Sequence, residues 1–599
     1  MRRDVSLRCR LGRAPSLGRL RTRFLIAVLA ASAPVLALSS SALADVKVTD
    51  HPYVRHDGGT DAVIETCSDD APGPSAGGER QANEPSVAIK PDEPGFIVAS
   101  ANDYCPVPLT ADAWQGIYVS DDGGASWIDS LLPGYPGDTS GVQSPLQTNS
   151  GDPLVDWDLD GHLYAGGISF NRTVPRGASF PANGLLYAAT YVRDPSAPLG
   201  IRYLRTVVVS RGVPANFLTF GGRFNDRPNM KVDDWASSPC ANNVYMSWTL
   251  FPGGGTNQIL FARSTDHGRT FSNPIKLERS PAGVQGSDVA VAPNGDVYVT
   301  WRTFAFNPVN ANVQIMFVKS TDCGRTFSRP RPVSPPMVPS DRRDTYVSGS
   351  GARDCGDGPF LCVSEFVFHR ISTITSVTVA PNQDVYVTWS QVNTVASNGD
   401  TYRPDGQSQV VYSKSTNGGN TWSPPAPIDA QAVGHQFWPD ITVDKVTGEL
   451  SVIYMDSRTD PSPYSPYRPP GNEADATSPC QDAGGIGTQP CDVLNTFVAS
   501  SINGGASWSS TKVSTIGHQP NFEMFGARNV PFHGDYIWID TELGTTFGAW
   551  SDNRDVVPGA DPREDEQDGF DVLQCLDEDG VNTCPNAGGL DQNIYGAGL

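Results

Sequence analysis

Basic residues are in the minority. The 599-residue chain has 43 Lys and Arg against 65 Asp and Glu, a formal net charge of −22. A surface of that sign repels phosphate and argues against a nucleic-acid partner. Charged residues of both signs make up only 18% of the chain, too few for long solvated helices, and turn-forming residues are abundant instead. No run of apolar residues beyond position 38 is long enough to span a bilayer. No Gly-x-Ser-x-Gly elbow, no His-Glu-x-x-His pair and no Gly-Lys-Ser/Thr phosphate loop occurs, which disfavours serine hydrolases, metallopeptidases and P-loop enzymes. There is no Cys-x-x-Cys pair and the eight His are scattered, so no zinc framework is legible and no metal or other cofactor is expected.

Against these absences stand 60 Gly, 50 Pro, 12 Trp and 9% aromatics. That many Trp need a core, and the Gly and Pro point to many strands joined by turns. Residues 1–23 hold eight Arg and one acid, and 24–38 are an apolar run interrupted by Pro34. With Ser-Ala-Leu-Ala following, the segment reads as a signal peptide cleaved after Ala44 and the protein as secreted, extracellular or periplasmic. Its removal takes away a charge of +7 and leaves the rest near −29. Of 11 Cys, Cys9 lies in that segment. The other ten suit disulfides in an exported chain: Cys355 with Cys362, Cys480 with Cys491, Cys575 with Cys584, and for the remainder Cys67 with Cys105 and Cys240 with Cys323, although spacing alone does not establish the pairing.

Two repeats organise the rest. An eight-residue phrase, S-x-[DN]-x-G-x-[ST]-[WF], occurs five times: SDDGGASW (120–127), STDHGRTF (264–271), STDCGRTF (320–327), STNGGNTW (415–422) and SINGGASW (501–508). Its chemistry is that of a hairpin turn. Asp or Asn accepts backbone N–H bonds, Gly takes a positive φ, hydroxyls satisfy other turn groups, and the aromatic packs beneath. Between the phrases lie alternating runs of the form strand, Gly or Asn turn, strand, such as SDVAVAPNGDVYVTW (287–301) and TSVTVAPNQDVYVTW (375–389). Seven such inner hairpins can be counted, near 84–103, 152–167, 227–248, 287–301, 375–389, 439–458 and 534–554. One inner and one outer hairpin make a four-stranded antiparallel sheet, and repetition of such sheets at about 40 residues or more predicts an all-β propeller. A strand from Val46 to Val54, in the N-terminal segment 45–80, would complete the last blade of the 81–599 propeller.

The phrase is the Asp box, or BNR repeat, and over residues 81–576 the chain resembles the sialidase superfamily. The resemblance implies a β-propeller, six-bladed in typical sialidases where the hairpin count here gives seven. It also implies an active site on the face opposite the boxes, where second-to-third-strand and blade-to-blade connections meet. The residues at the start of each first strand and the end of each second strand crowd the centre of that face: Glu84, Asp152, Asp226 and Arg227, Asp288, Asp440 and Asp535, then Asp103, Arg302, Asp456 and Arg458, Asp552 and Arg554, with His435, Trp438, His533 and Tyr536 beside them.

The resemblance assigns these residues roles. Arg302, Arg458 and Arg554 would converge on a carboxylate, as sialidases grip sialic acid, since guanidinium is planar and always charged. Arg227, Asp440, Asp535, Trp438 and His435 would join them in substrate binding. The nucleophilic Tyr would be Tyr536 or Tyr104, its activating Glu either Glu84 or Glu365, and the acid/base Asp103. Asn83-Glu84-Pro85 stands where the family carries Arg-Ile-Pro, so Asn83 replaces its first arginine. Other readings of the same residues are open: capping carboxylates and structural Asp-x-Arg pairs, or a calcium site in the acid ring, for which no EF-hand-type loop is present. Inserts at 334–370 and 456–492, the latter with Tyr464, Tyr467 and Arg468, should overhang the same face. The expected function is a secreted glycoside hydrolase acting on terminal sugars of glycans, sialic acid among them. The alternative is a non-catalytic propeller that binds a glycan or glycoprotein there.

Overall fold

A computed structural model of the chain describes residues 44–68, 81–106, 113–171, 182–213, 222–252, 256–278, 283–304, 313–340, 352–354, 361–363, 371–392, 407–431, 433–460, 493–518, 520, 533–556 and 592–599. They form seven four-stranded antiparallel sheets, the blades of a propeller, and one two-stranded ribbon, Ala352–Asp354 with Leu361–Val363. Strands are lettered A to D from the axis outward. Blade 1 is Ala82–Lys90, Glu93–Asp103, Trp114–Ser120 and Ile128–Leu131. Blade 2 is Asn149–Trp157, His162–Asn171, Ala182–Arg193 and Ile201–Arg211. Blade 3 is Arg223–Val232, Val244–Pro252, Gln258–Ser264 and Ile275–Lys276. Blade 4 is Gly283–Val291, Val297–Phe304, Ile315–Ser320 and Arg331–Pro332. Blade 5 is Thr375–Val379, Val385–Val392, Ser408–Ser415 and Ala426–Pro427. Blade 6 is Gln436–Val443, Leu450–Asp456, Asn495–Ser501 and Ser509–Lys512. Blade 7 is Trp538–Glu542, Thr545–Asp552 and Asn593–Gly598, with Val46–Lys47 of the N-terminal segment as its D strand. The A strands pack in cyclic order, blade 7 against blade 1, so the ring closes.

The seven A–B hairpins are those read from the sequence, and the blade number is seven rather than six. Strand B of blades 3, 4, 5 and 7 carries a fully buried Trp (Trp248, Trp301, Trp389, Trp550) between neighbouring sheets. Several of these indoles also donate a hydrogen bond, Trp248 to Asn225 Oδ1 at 2.8 Å and Trp550 to Asp552 Oδ2 at 3.0 Å, which removes the penalty of burying an N–H.

The five phrases form the C–D turns of blades 1, 3, 4, 5 and 6. In each, the first Ser accepts a hydrogen bond on Oγ from the N–H four residues on, at 2.9 Å for Gly124 and 2.8 Å for Gly419. Asp122 takes Ser126 N and the Ser126 hydroxyl at 2.9 and 2.6 Å. The structure adds what sequence did not show: each phrase packs on the preceding blade. A Cβ on Gly124 would lie 2.3 Å from Phe547 of blade 7, and one on Gly419 2.5 Å from Phe317 of blade 4. The closing aromatics follow, with Trp127 against Phe547, Phe327 against Phe261, Trp422 against Phe317 and Trp508 against Tyr412.

A second set of stitches runs along the axis. An inner-strand carboxylate accepts a backbone N–H from the next blade: Asp156 from Val232 (2.7 Å), Asp288 from Val377 (2.6 Å), Asp440 from Ile539 (2.9 Å) and Asp540 from Ile89 (2.8 Å). In blade 5 a hydroxyl does the same, Ser376 Oγ taking Ile441 N at 3.1 Å. These groups line an axial cavity of about 80 Å³ bounded by all seven A strands, large enough for several waters. At the A–B turn end, Lys445 of blade 6 pairs with Asp234 of blade 3 and Glu542 of blade 7, bridging the channel.

The segment before blade 1 contains a helix, Ala62–Ser68, which the sequence reading did not include. Asp61 caps it through Val63 N and Ile64 N, both at 3.1 Å, and Cys67–Cys105 ties it to blade 1. Cys240–Cys323 joins blades 3 and 4. Both pairings match those read from the sequence; of the other three expected pairs, Cys355, Cys480, Cys491, Cys575 and Cys584 lie outside the described residues, as do 1–43. Among the described residues no helix is long and apolar enough to cross a membrane.

Candidate functional site at the channel mouth

The A strands of blades 1, 2, 3, 4 and 6 share an irregularity at the end away from the Asp-rich turns. A β-bulge breaks the register between Asn83 and Ser86, Gly151 and Leu154, Asp226 and Asn229, Gln285 and Asp288, and Phe437 and Asp440. At each bulge one residue has positive φ: Glu84 (57°), Asp152 (52°), Arg227 (46°), Gly286 (65°) and Trp438 (52°). Proline follows four of the five and fixes the exit from the bulge. A side-chain-bearing residue in left-handed backbone costs about 1–2 kcal/mol. Glycine serves blade 4, so the bulge itself does not demand a side chain. Non-glycine residues held in this region cluster at functional sites.

Three of these residues converge with the loop that enters blade 7. Arg227 N donates to Asp152 Oδ2 at 2.8 Å. Its guanidinium lies 4.6 Å above the Tyr536 ring and 4.0 Å from Asp535 Oδ2, a cation–π contact flanked by an ion pair. Glu84 is buried and accepts Asn102 Nδ2 on Oε2 at 2.9 Å. Gly534 covers it so closely that a Cβ there would sit 2.8 Å from Glu84 Cγ. Burial pushes the Tyr536 phenol far above its ordinary range, and the charges of Glu84, Asp152 and Asp535 add to the effect while Arg227 opposes it. Its hydroxyl is buried and has no hydrogen-bond partner among the described residues. Glu84, Tyr536, Arg227 and Asp535 therefore meet, and Asp152 joins them.

The other expected residues lie elsewhere. Asp103 follows Asn102 on the same strand, so its side chain points to the opposite side. There it accepts Tyr53 Oη (2.6 Å), Tyr118 Oη (2.9 Å) and Cys105 N (2.9 Å), which turns it toward the N-terminal segment and away from Glu84. The expected convergence of Arg302, Arg458 and Arg554 is not what the fold builds. Arg458 pairs with Asp456 and Asp429 over the Phe497 ring. Arg554 pairs with Asp552 (2.6 Å) and Asp45 (2.7 Å) over Tyr595. In both, the Asp also accepts the N–H of the Arg two residues on, at 2.7 and 2.9 Å. Asp-x-Arg thus closes a turn on itself while its guanidinium also binds an aspartate from elsewhere, Asp429 or Asp45, the structural reading of that motif. Arg302 is buried in strand B of blade 4, opposite Gln285 and Ile315.

Asp440 is an inter-blade stitch, held by Ile539 N and by Ser376 Oγ at 2.6 Å. Burial, with Asp288 nearby, raises its carboxyl to about 8. His435 is fully buried, with Ser408 N donating to its Nδ1 at 3.1 Å. Trp438 occupies the blade 6 bulge, buried and 5.9 Å from the His533 ring. His533 in turn meets His518 at 2.8 Å, and His518 Nδ1 is 3.3 Å from Asp552. Tyr104 is buried beside Gln81. Glu365, Tyr464, Tyr467 and Arg468 lie outside the described residues.

Fold and site together define a seven-bladed β-propeller whose channel is bolted at one end and carries a strained, charged cluster at the other. No family model matches the chain, and no curated protein matches it in sequence. Among solved structures, it is similar to a protein of unknown function from Dyadobacter fermentans DSM 18053 (13% identity, TM-score 0.38, 92% of this chain and 98% of that one). It is also similar to an α-L-arabinofuranosidase from Fusarium graminearum (10% identity, TM-score 0.38, 69% and 92%). A third is a sialidase from Trypanosoma rangeli (14% identity, TM-score 0.34, 63% and 53%).

Proposed function

We propose that the protein is a secreted, glycan-active Asp-box propeller that hydrolyses a terminal sugar at the channel mouth. The observation that carries this reading is the convergence of Glu84, Asp152, Arg227 and Asp535 on Tyr536, three of the five from left-handed bulge positions. Paired carboxylates are the minimum equipment for glycoside hydrolysis, one as acid and one as base or nucleophile. A tyrosine beside a glutamate is the arrangement the sialidase resemblance implies. Here Glu84 and Tyr536 take those places, and Asp152 or Asp535 replaces Asp103 as acid/base. The cluster has one arginine against three acids, so it disfavours an anionic sugar. An uncharged sugar suits it better than sialic acid.

The locked Asp-x-Arg turns favour a second reading, a propeller that binds glycans at the same mouth without cleaving them. The deciding experiment is turnover of a panel of fluorogenic glycosides, sialoside included, by the purified protein and by Glu84→Gln and Asp152→Asn. Turnover on a neutral glycoside that collapses in both variants supports the hydrolase. Sialoside turnover would overturn the substrate preference. A folded protein inert on the whole panel, yet retained by a glycan array, would establish the binding reading.

A further inference from the structure

The C–D turn phrase has one position that differs among its copies in a way the turn does not require. The fourth residue has positive φ in all five copies: Gly123 (78°), His267 (57°), Cys323 (59°), Gly418 (66°) and Gly504 (66°). Glycine fills three of them at no steric cost. His267 and Cys323 hold the same backbone against that cost, and both reach the A–B loop of the preceding blade. Cys323 of blade 4 does so covalently, bonded to Cys240 of blade 3. His267 of blade 3 makes the corresponding reach to blade 2, where its Nδ1 lies 2.9 Å from Asp158 Oδ2. His162 Nδ1 lies 3.0 Å from the same oxygen, and the two imidazoles face each other with centroids 4.7 Å apart.

We propose that Asp158, His162 and His267 bind a divalent transition-metal ion of the zinc class. The ion would clip blade 2 to blade 3 as the disulfide clips blade 3 to blade 4. The three ligand atoms lie within 4.8 Å of one another, so a small rotation of one imidazole brings all three to the roughly 2.0–2.2 Å bonds of zinc. The two imidazoles favour such an ion over calcium or magnesium, which take oxygen ligands, and zinc accepts a carboxylate oxygen beside them. The supporting groups are in place. Asp158 Oδ1 accepts Asp160 N (3.0 Å) and His162 N (2.7 Å), and Tyr164 Oη donates to Oδ2 at 2.7 Å. Arg205 holds the His267 carbonyl at 2.8 Å. Asp158 is buried, while the two His are partly open, with side chains 22% and 31% exposed. An ion therefore has a path in and water can complete its coordination. Asp160, whose Oδ2 is 3.7 Å from His267 Nε2, flanks the site. On binding, any proton held on the two Nδ1 atoms leaves to solvent. The histidines are 105 residues apart by their numbers, which is why no spacing in the chain announces the site. It sits on the turn face and does not depend on what the channel mouth does.

The test uses the purified protein without a polyhistidine tag. Metal analysis after zinc loading and desalting should find about one zinc per chain, and cobalt(II) titration should give visible absorption bands of a low-coordinate site. Added chelator should lower the melting temperature of the loaded protein. His267→Gly installs the residue that three sister turns already carry, so it should fold. It should lose the zinc, the cobalt bands and the chelator response together, and His162→Gln should do the same. A wild-type protein that retains no zinc, or a His267→Gly variant that retains as much as wild type, would overturn the proposal and leave a hydrogen-bonded Asp–His contact.

Discussion

On the face that carries the A–B and C–D turns, the connections are short, each phrase closes its own turn with local hydrogen bonds, and left-handed positions are filled chiefly by glycine. The channel end there is bridged by Lys445, and a disulfide joins two blades across the rim. On the opposite face the connections run long, over 393–407, 457–494 and 553–592. The left-handed positions at its centre hold Glu84, Asp152, Arg227 and Trp438. The first face spends its sequence on stability and relieves strain with glycine. The second retains strain on charged and aromatic side chains, a cost that stability alone does not explain.

The contrast is tested most strongly at the mouth. Glu84→Gln preserves shape and removes the charge. Turnover of the best glycoside should fall about 100- to 10,000-fold, with unfolding free energy changed by less than about 1 kcal/mol. A loss of fold with no selective loss of activity would make Glu84 a structural residue and erase the distinction between the faces. The turn face should respond in the opposite way. Replacing Cys240 and Cys323 together by Ser should cost about 2–5 kcal/mol in urea unfolding and leave sugar hydrolysis or binding at the mouth intact.

A matched pair of glycines then separates backbone strain from packing. Gly123→Ala meets nothing within 4 Å, whereas Gly419→Ala drives a methyl into Phe317. The first should cost about 1–2 kcal/mol from φ alone, and the second about 1–3 kcal/mol more from overpacking, read as melting temperatures. Equal losses would mean that the phrases do not staple blades together.

The smallest effect concerns the axial stitches. Burial holds the Asp288 carboxyl at about 7 and, with help from Asp288, Asp440 at about 8, against roughly 3.9 in an unfolded chain. Between those values the native state binds more protons than the unfolded one, so stability falls as pH rises from about 4 to 8. Asp440→Asn should flatten part of that slope in denaturation series across this range. An unchanged slope would assign the titration to other groups.

The phrases and inner hairpins were legible because turn chemistry and strand alternation act over a few residues, and repetition multiplies the signal. The repeat also explains why the cluster around Tyr536 draws on equivalent places: Glu84 and Arg227 sit in the A-strand bulges of blades 1 and 3, and Asp535 and Tyr536 just before the A strand of blade 7. Side-chain direction was not legible. At each bulge the alternation of two is interrupted, so Trp438 and Asp440, two residues apart, take different roles, one in the bulge and one stitching blade 6 to blade 7. Asn102 and Asp103 show the converse: alternation holds, and it sends the expected acid away from Glu84. The Asp-x-Arg turns were recognisable as possible ion pairs, but only their actual partners, Asp429 for Arg458 and Asp45 for Arg554, show that neither guanidinium joins the cluster around Tyr536.

By itself the sequence determined the all-β class, the number of inner hairpins and the five turn phrases, because each rests on local periodicity or on glycine and hydroxyl chemistry; the Cys67–Cys105 and Cys240–Cys323 pairings it suggested, and the fold established them. Only the tertiary structure decided which carboxylates meet Arg227 and Tyr536, which stitch one blade to the next, and which histidines share an aspartate. Those groupings join residues from separate blades, and a ring that closes residue 46 onto residue 596 sets them by geometry across the whole chain.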